Sequence, residues 1–157
     1  MFQNAIGFHP CCSSTSSRRR SVDVEDTDRA LARGAKLARF DGTVASILPV
    51  CFWKQRDRID PKHLLHFAEE EGASDRLYVL LAVTSEVSGD PRFARWAGKP
   101  PPVRRPREYF FASDARSDVS KEVARRHTPA VAKRFGFWMN MGLDAFESMF
   151  QKHASVA

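Results

Sequence analysis

Nine residues in the second half of the chain limit its fold more than any others. They run Lys99-Pro100-Pro101-Pro102-Val103-Arg104-Arg105-Pro106-Arg107. Four prolines remove four backbone donors, so neither a helix interior nor a central strand passes through this stretch. Lys99, Arg104, Arg105 and Arg107 put four positive charges on a segment that must be extended. The chain therefore divides into a basic Ser/Arg leader over 1–22, a helical body over 23–98, a Pro/Arg-rich strap over 99–108 and a C-terminal helical segment over 109–157.

A chain of 157 residues is long enough for one domain with a real core. Its 43% hydrophobic and 28% charged residues are ordinary globular usage, which excludes wholesale disorder. Charge is unevenly spread. Residues 23–91 hold nine Lys/Arg against thirteen Asp/Glu, whereas residues 92–134 hold twelve against four. Such a pattern suits a negatively charged partner, or a match between the basic belt and the chain's own acidic middle. The three cysteines, Cys11, Cys12 and Cys51, make no disulfide framework, which points to a reducing compartment or an organelle matrix. No apolar run is long enough to span a bilayer. The leader contains Arg18, Arg19 and Arg20 and no acid, a composition shared with organelle transit peptides.

Helix signals recur along the body. Residues 24–40 have the spacing of an amphipathic helix capped by Asp26 or Thr27, weakened at Gly34 and followed by an Asp41-Gly42 turn. Asp60-Pro61 and Asp90-Pro91 each pair an N-cap with a proline suited to the first helical position, predicting helices to about Glu71 and Ala97. Ser74 opens a further helix to Val87, although the continuous apolar run Leu77–Val83 also suits a buried strand. The block 43–53, interrupted by Pro49, reads either as a buried strand or as a short kinked helix. Beyond the strap, Ser117 or Asp118 caps a helix ending near His127, and Thr128-Pro129 starts a last one running to about Phe150. The predicted fold is mainly α, with five or six short helices, the extended strap and a C-terminal amphipathic aromatic helix.

That last helix is the most unusual element. Val131, Phe135, Trp138, Gly142, Ala145 and Met149 fall on one helical stripe, widened by Phe137, Met141, Phe146 and Phe150. So many aromatics and methionines exceed what a small core needs, so part of this face is expected to be covered by another chain or by a membrane interface. The expected partner-binding residues are Lys99, Arg104, Arg105 and Arg107 on the strap. To these the helix adds Phe135, Phe137, Trp138, Met141, Phe146, Met149 and Phe150.

Other chemistry finds weaker support. His63, His66 and Glu70 fall on one helical face, and His9 lies near Cys11 and Cys12, but neither group has the second ligand cluster of a metal centre. No GxSxG, phosphate-cradling loop, GxGxxG or HExxH is present, so no catalytic, cofactor or metal residue is expected. Cys51 reads as a buried thiol. The leading expectation is a non-catalytic accessory subunit of a larger assembly, mitochondrial and membrane-associated, of the respiratory-chain or ATP synthase type. Its expected partners are other protein subunits, with anionic lipid headgroups as a further contact. An RNA-contacting peripheral ribosomal protein is the alternative, since the strap arginines can track phosphates beside stacking aromatics. An enzyme without a recognisable motif is the third.

Overall fold

A computed structural model describes residues 15–102 and 104–155. The residues of the leader before 15, including His9, Cys11 and Cys12, lie outside the described range. Within it the chain is mainly helical, as expected from the sequence. Eight α-helices are present: α1 (Thr15–Leu37), α2 (Gly42–Lys54), α3 (Pro61–Glu70), α4 (Ser74–Ser88), α5 (Pro91–Ala97), α6 (Asp118–His127), α7 (Ala130–Arg134) and α8 (Leu143–His153). Two residue pairs form a short sheet, β1 (Glu108–Tyr109) and β2 (Phe137–Trp138).

Local chemistry sets the boundaries. Asp60 and Asp90 cap α3 and α5, accepting from Lys62 N at 2.9 Å and Arg92 N at 3.0 Å, with Pro61 and Pro91 next in line. Ser117 caps α6 by accepting from Ser120 N at 3.1 Å. The apolar block after Asp41 is a helix, not a strand. The Asp41 carboxylate accepts from Thr43 N at 2.8 Å and Val44 N at 3.4 Å, and Pro49 is carried inside α2. Ser74 is the first residue of α4 and not its cap; Ala73 holds the cap position without a side-chain bond. The expected start of the first helix at Val24 is too late. Its backbone continues back to Thr15 through Arg18, Arg19 and Arg20, which are good helix formers.

α4 is the central element and packs against α1, α2, α3, α5, α7 and α8. Leu77 and every residue from Val79 to Thr84 are buried, so this helix is covered nearly all round. A helix in that position needs no polar face, which is why its sequence shows no periodicity. Small residues Ala32 and Ala35, with Ala38 just past the helix end, let α1 lie close to the body. At Gly34 a Cβ would stand 2.8 Å from the Leu48 Cδ2 of α2, so the glycine that weakens the helix also permits this approach.

The expected single helix from Ala130 to Phe150 is not formed. It breaks into α7, β2 and α8. Gly136 adopts φ 87°, a conformation that ends α7 and is open mainly to glycine. The following backbone finds partners outside any helix. Arg107 N and Glu108 N donate to Gly136 O at 3.2 and 3.4 Å, and Phe110 N donates to Trp138 O at 2.8 Å. β1 and β2 pair in parallel, with Glu108 opposite Phe137 and Tyr109 opposite Trp138. Met139 N donates to the Thr128 hydroxyl at 2.9 Å, and Asn140 N to the Asp114 carboxylate at 3.0 Å. Every one of these bonds competes with helical pairing.

The aromatic stripe is consequently dismantled. Phe137, Met139 and Phe146 are buried in the chain's own core, with Phe137 edge-on to Phe110 at 5.8 Å between ring centroids. α8 packs against α2 and α4, so the segments before and after the strap share one core.

Candidate functional site

The strap is irregular, with a bend at Arg104–Arg105, and it is held at both ends. At its root, α5 stops at Gly98, whose φ of 72° turns the chain away from the helix while its N–H donates to Ala94 O at 3.2 Å. At its exit, the amides of Arg107 and Glu108 are fixed on Gly136 O, as above. Arg76 secures the next two residues. Its Nε donates to Phe110 O at 3.0 Å and its Nη2 to Tyr109 O at 3.2 Å. The guanidinium lies 5.2 Å from the Phe137 ring centroid and 5.7 Å from that of Phe110. Burial, with the nearby charge of Arg39, pulls its pKa below the ordinary guanidinium value, opposed by Glu108 and Asp75.

Between these anchors Arg104, Arg105 and Arg107 are exposed and, with Pro102 and Pro106, surround a concavity of about 540 Å³. Among the described residues none of the three forms an ion pair. The acidic middle of the chain is engaged elsewhere: Glu71 holds Lys36 at 3.0 Å and Arg33 at 3.4 Å, Asp57 and Asp90 hold Arg92 at 3.2 and 2.8 Å, and Glu86 holds Arg134 at 3.2 Å. The strap arginines thus present their charge to solvent.

A cleft of about 500 Å³ opens at the strap's root. Its walls are Leu65 of α3, Asp75 and Tyr78 of α4, and Trp96 of α5, closed by Phe135 and by Lys99 and Pro101 of the strap. Tyr78, Trp96 and Phe135 are all half-buried. Trp96 is braced from behind by the fully buried Phe93, edge-on at 5.0 Å. On the far side of the same strap root, Pro100 borders a smaller hollow of about 190 Å³ with Glu86, Arg134 and Phe135.

The structure therefore sorts the residues expected to bind partners. Lys99 and Phe135 line the cleft; Arg104, Arg105 and Arg107 line the strap concavity. Phe137 and Phe146 belong to the core and are not surface residues. Trp138, Met141, Met149 and Phe150 are half-buried on the body, Phe150 lying edge-on to Trp53 at 5.5 Å. Arg56 covers the other side of Trp53, 4.1 Å from its ring. The cleft residues Leu65, Asp75 and Tyr78 were not singled out from sequence, because Tyr78 sits inside a continuous apolar run where no face is marked.

His63 and His66 project from α3, more than half exposed, and each meets a carboxylate on its own helix end: Asp60 at 3.8 Å and Glu70 at 3.3 Å. Among the described residues no group of three or more His, Cys, Asp or Glu side chains is arranged to hold a metal ion. Cys51 is half-buried in α2, and burial pushes its thiol pKa up, partly offset by Lys54, which keeps it protonated at neutral pH. Asp28 of α1 is completely buried. Its Oδ2 accepts from the backbone N–H of Asp60 at 3.2 Å, and its Oδ1 has no partner. Burial raises its pKa to about 6, with repulsion from Asp60 adding to this and the Asp60 N–H and His63 opposing it. Among the described residues no helix is long and apolar enough to cross a membrane. Compared with protein-family models, with curated proteins and with solved structures, the chain matches none.

Proposed function

We propose that this protein is a non-catalytic accessory subunit of a larger assembly, and that it holds a negatively charged neighbouring subunit through its strap. The observation that carries this reading is the state of Arg104, Arg105 and Arg107. They are exposed, carried on a segment tethered at both ends, and among the described residues none of them forms an ion pair. A segment already restricted by proline and fixed at its termini loses little freedom when a partner covers it. Charge at this position steers encounter with an acidic surface and disfavours basic ones.

The proposed setting is a mitochondrial assembly at the membrane surface, of the respiratory-chain or ATP synthase type. The acid-free, arginine-rich leader and the basic pI of 9.6 support it. Imaging the full chain fused to a C-terminal reporter tests the compartment; diffuse cytosolic signal would remove it.

The assembly itself is tested by purifying tagged protein from its native cells in low and high salt. The wild type should elute in a particle of defined size above the monomer, and the variant Arg104→Glu/Arg105→Glu/Arg107→Glu should elute as monomer. A wild type that is monomeric at low salt, or a variant that assembles as well as wild type, would refute the reading.

A further inference from the structure

We propose that the cleft at the strap's root is the anchoring pocket of this interface, and that it seats one aromatic side chain of an acidic, extended peptide segment of the partner. This rests on the reading that the strap binds a negatively charged subunit, and adds the chemistry of what is bound.

The cleft's volume of about 500 Å³ falls within the range of sites that enclose a ligand group. Its walls are mostly apolar and aromatic, and they are preorganised. Trp96 is braced by Phe93, and Phe135 is fixed by the turn at Gly136. Half-buried aromatic walls around a recess are the setting in which a single inserted side chain dominates an interface. The strap side is open space at Gly98, where a Cβ would meet nothing within 4 Å, and the φ of 72° there turns the chain away from α5.

Charge around the cleft orders the partner. Lys99 stands at the lip, and the unpaired arginines of the strap follow it in sequence. Carboxylates flanking the anchor residue would meet these cations. Asp75 stands in the cleft wall. A carboxylate there accepts from the main-chain N–H groups of an extended peptide. It repels anionic groups of any kind, so the side chain seated in the cleft is neutral and the partner's carboxylates fall on the Lys99 and strap side.

The experiment uses the full chain and three labelled probes, read by fluorescence anisotropy at low salt. The first is a dodecapeptide of Glu and Asp with one central Phe. The second replaces that Phe with Ala, and the third is a twelve-nucleotide oligouridylate. The Phe peptide should bind at least about 10-fold more tightly than the Ala peptide, the margin expected from burying one aromatic side chain. Trp96→Ala should erase that margin while leaving Ala-peptide binding unchanged. Tyr78→Ala serves as a second test, so that a folding defect in one variant does not decide the matter. Charge reversal at Arg104, Arg105 and Arg107 should abolish binding of both peptides.

Equal affinity for the two peptides, or a margin that survives both cleft variants, would overturn the pocket and leave the strap's role standing. Failure of both peptides to bind would overturn pocket and strap alike. Tighter binding of oligouridylate than of the Phe peptide would assign the surface to RNA and overturn the peptide proposal.

Discussion

Asp28 gives the sharpest quantitative test of the structure. Its carboxyl is fully buried between α1 and the start of α3, with one oxygen on the Asp60 N–H and the other unpartnered. An aspartate that titrates near 3.8 when solvated titrates here at about 6. Below pH 3.8 both folded and unfolded states hold the proton. Between 3.8 and about 6 the unfolded chain releases it while the folded chain retains it, so this residue makes stability fall as pH rises. Above about 6 the folded carboxyl is also ionised and the loss is complete. The full shift corresponds to about 3 kcal/mol, of which about 2 kcal/mol falls above pH 4, where the unfolded carboxyl is already more than half ionised. Asp28→Asn removes the charge while keeping an oxygen that can accept from Asp60. Any cost of burying the new amide is the same at every pH, so the slope isolates the ionisation. Urea melts of both proteins from pH 4 to pH 8 should show the variant gaining about 2 kcal/mol on wild type across this range. In thermal melts that is roughly 4–8 °C for a chain of this length. Curves that stay parallel across pH 4–7 would refute the assignment of Asp28 as a buried, strained charge.

Arg76→Met should cost about 2–3 kcal/mol in urea melts, because two backbone carbonyls lose a charged donor. Arg76→Lys should recover only part of it, since an ammonium cannot span both oxygens. Phe146→Ala should destabilise by about 3–5 kcal/mol, against about 1 kcal/mol for the half-exposed Phe150→Ala; the reverse order would refute the placement of Phe146 in the core. Gly136→Ala places a side chain at φ 87° and should cost about 1–2 kcal/mol, with faster amide exchange at Arg107 and Glu108. Charge reversal of Arg104, Arg105 and Arg107 should shift stability by less than about 0.5 kcal/mol, because these side chains touch nothing that holds the fold.

What could be read from sequence was local. Asp60-Pro61, Asp90-Pro91 and Ser117 each satisfy a helix's own orphaned amides within three residues, and all three cap helices in the structure. Asp41, which reads in sequence as part of a turn, is the cap that makes residues 42–54 helical, a choice the apolar pattern of 43–53 leaves open. The error at the C-terminus has the opposite cause. Residues 130–150 have a helical stripe, and a helix is what they would form alone. The partner that outcompetes it is the strap's exit, about thirty residues away in sequence, whose amides claim Gly136 and Trp138 carbonyls. No local window contains that information. The cleft was hidden for the same reason: its walls come from α3, α4, α5, the strap and Phe135, and only packing brings them together. The unpaired state of the strap arginines was equally invisible, since charge counts by region do not say which acid meets which base.

The strap's double tether has one more consequence. Its residues link the two parts of the chain covalently, yet they are not what keeps those parts together. α8 is packed on α2 and α4, Arg76 holds the carbonyls of Tyr109 and Phe110, and Arg134 reaches back to Glu86. A protease that severs the exposed backbone near Arg104 should therefore produce a nicked molecule, not two separate pieces. Both fragments should migrate as one species in native gel filtration and part only in denaturant. Mixed afresh after separation, they should find each other again, because the information for their pairing lies in the shared core and the Arg76 bonds to β1, not in the loop between them.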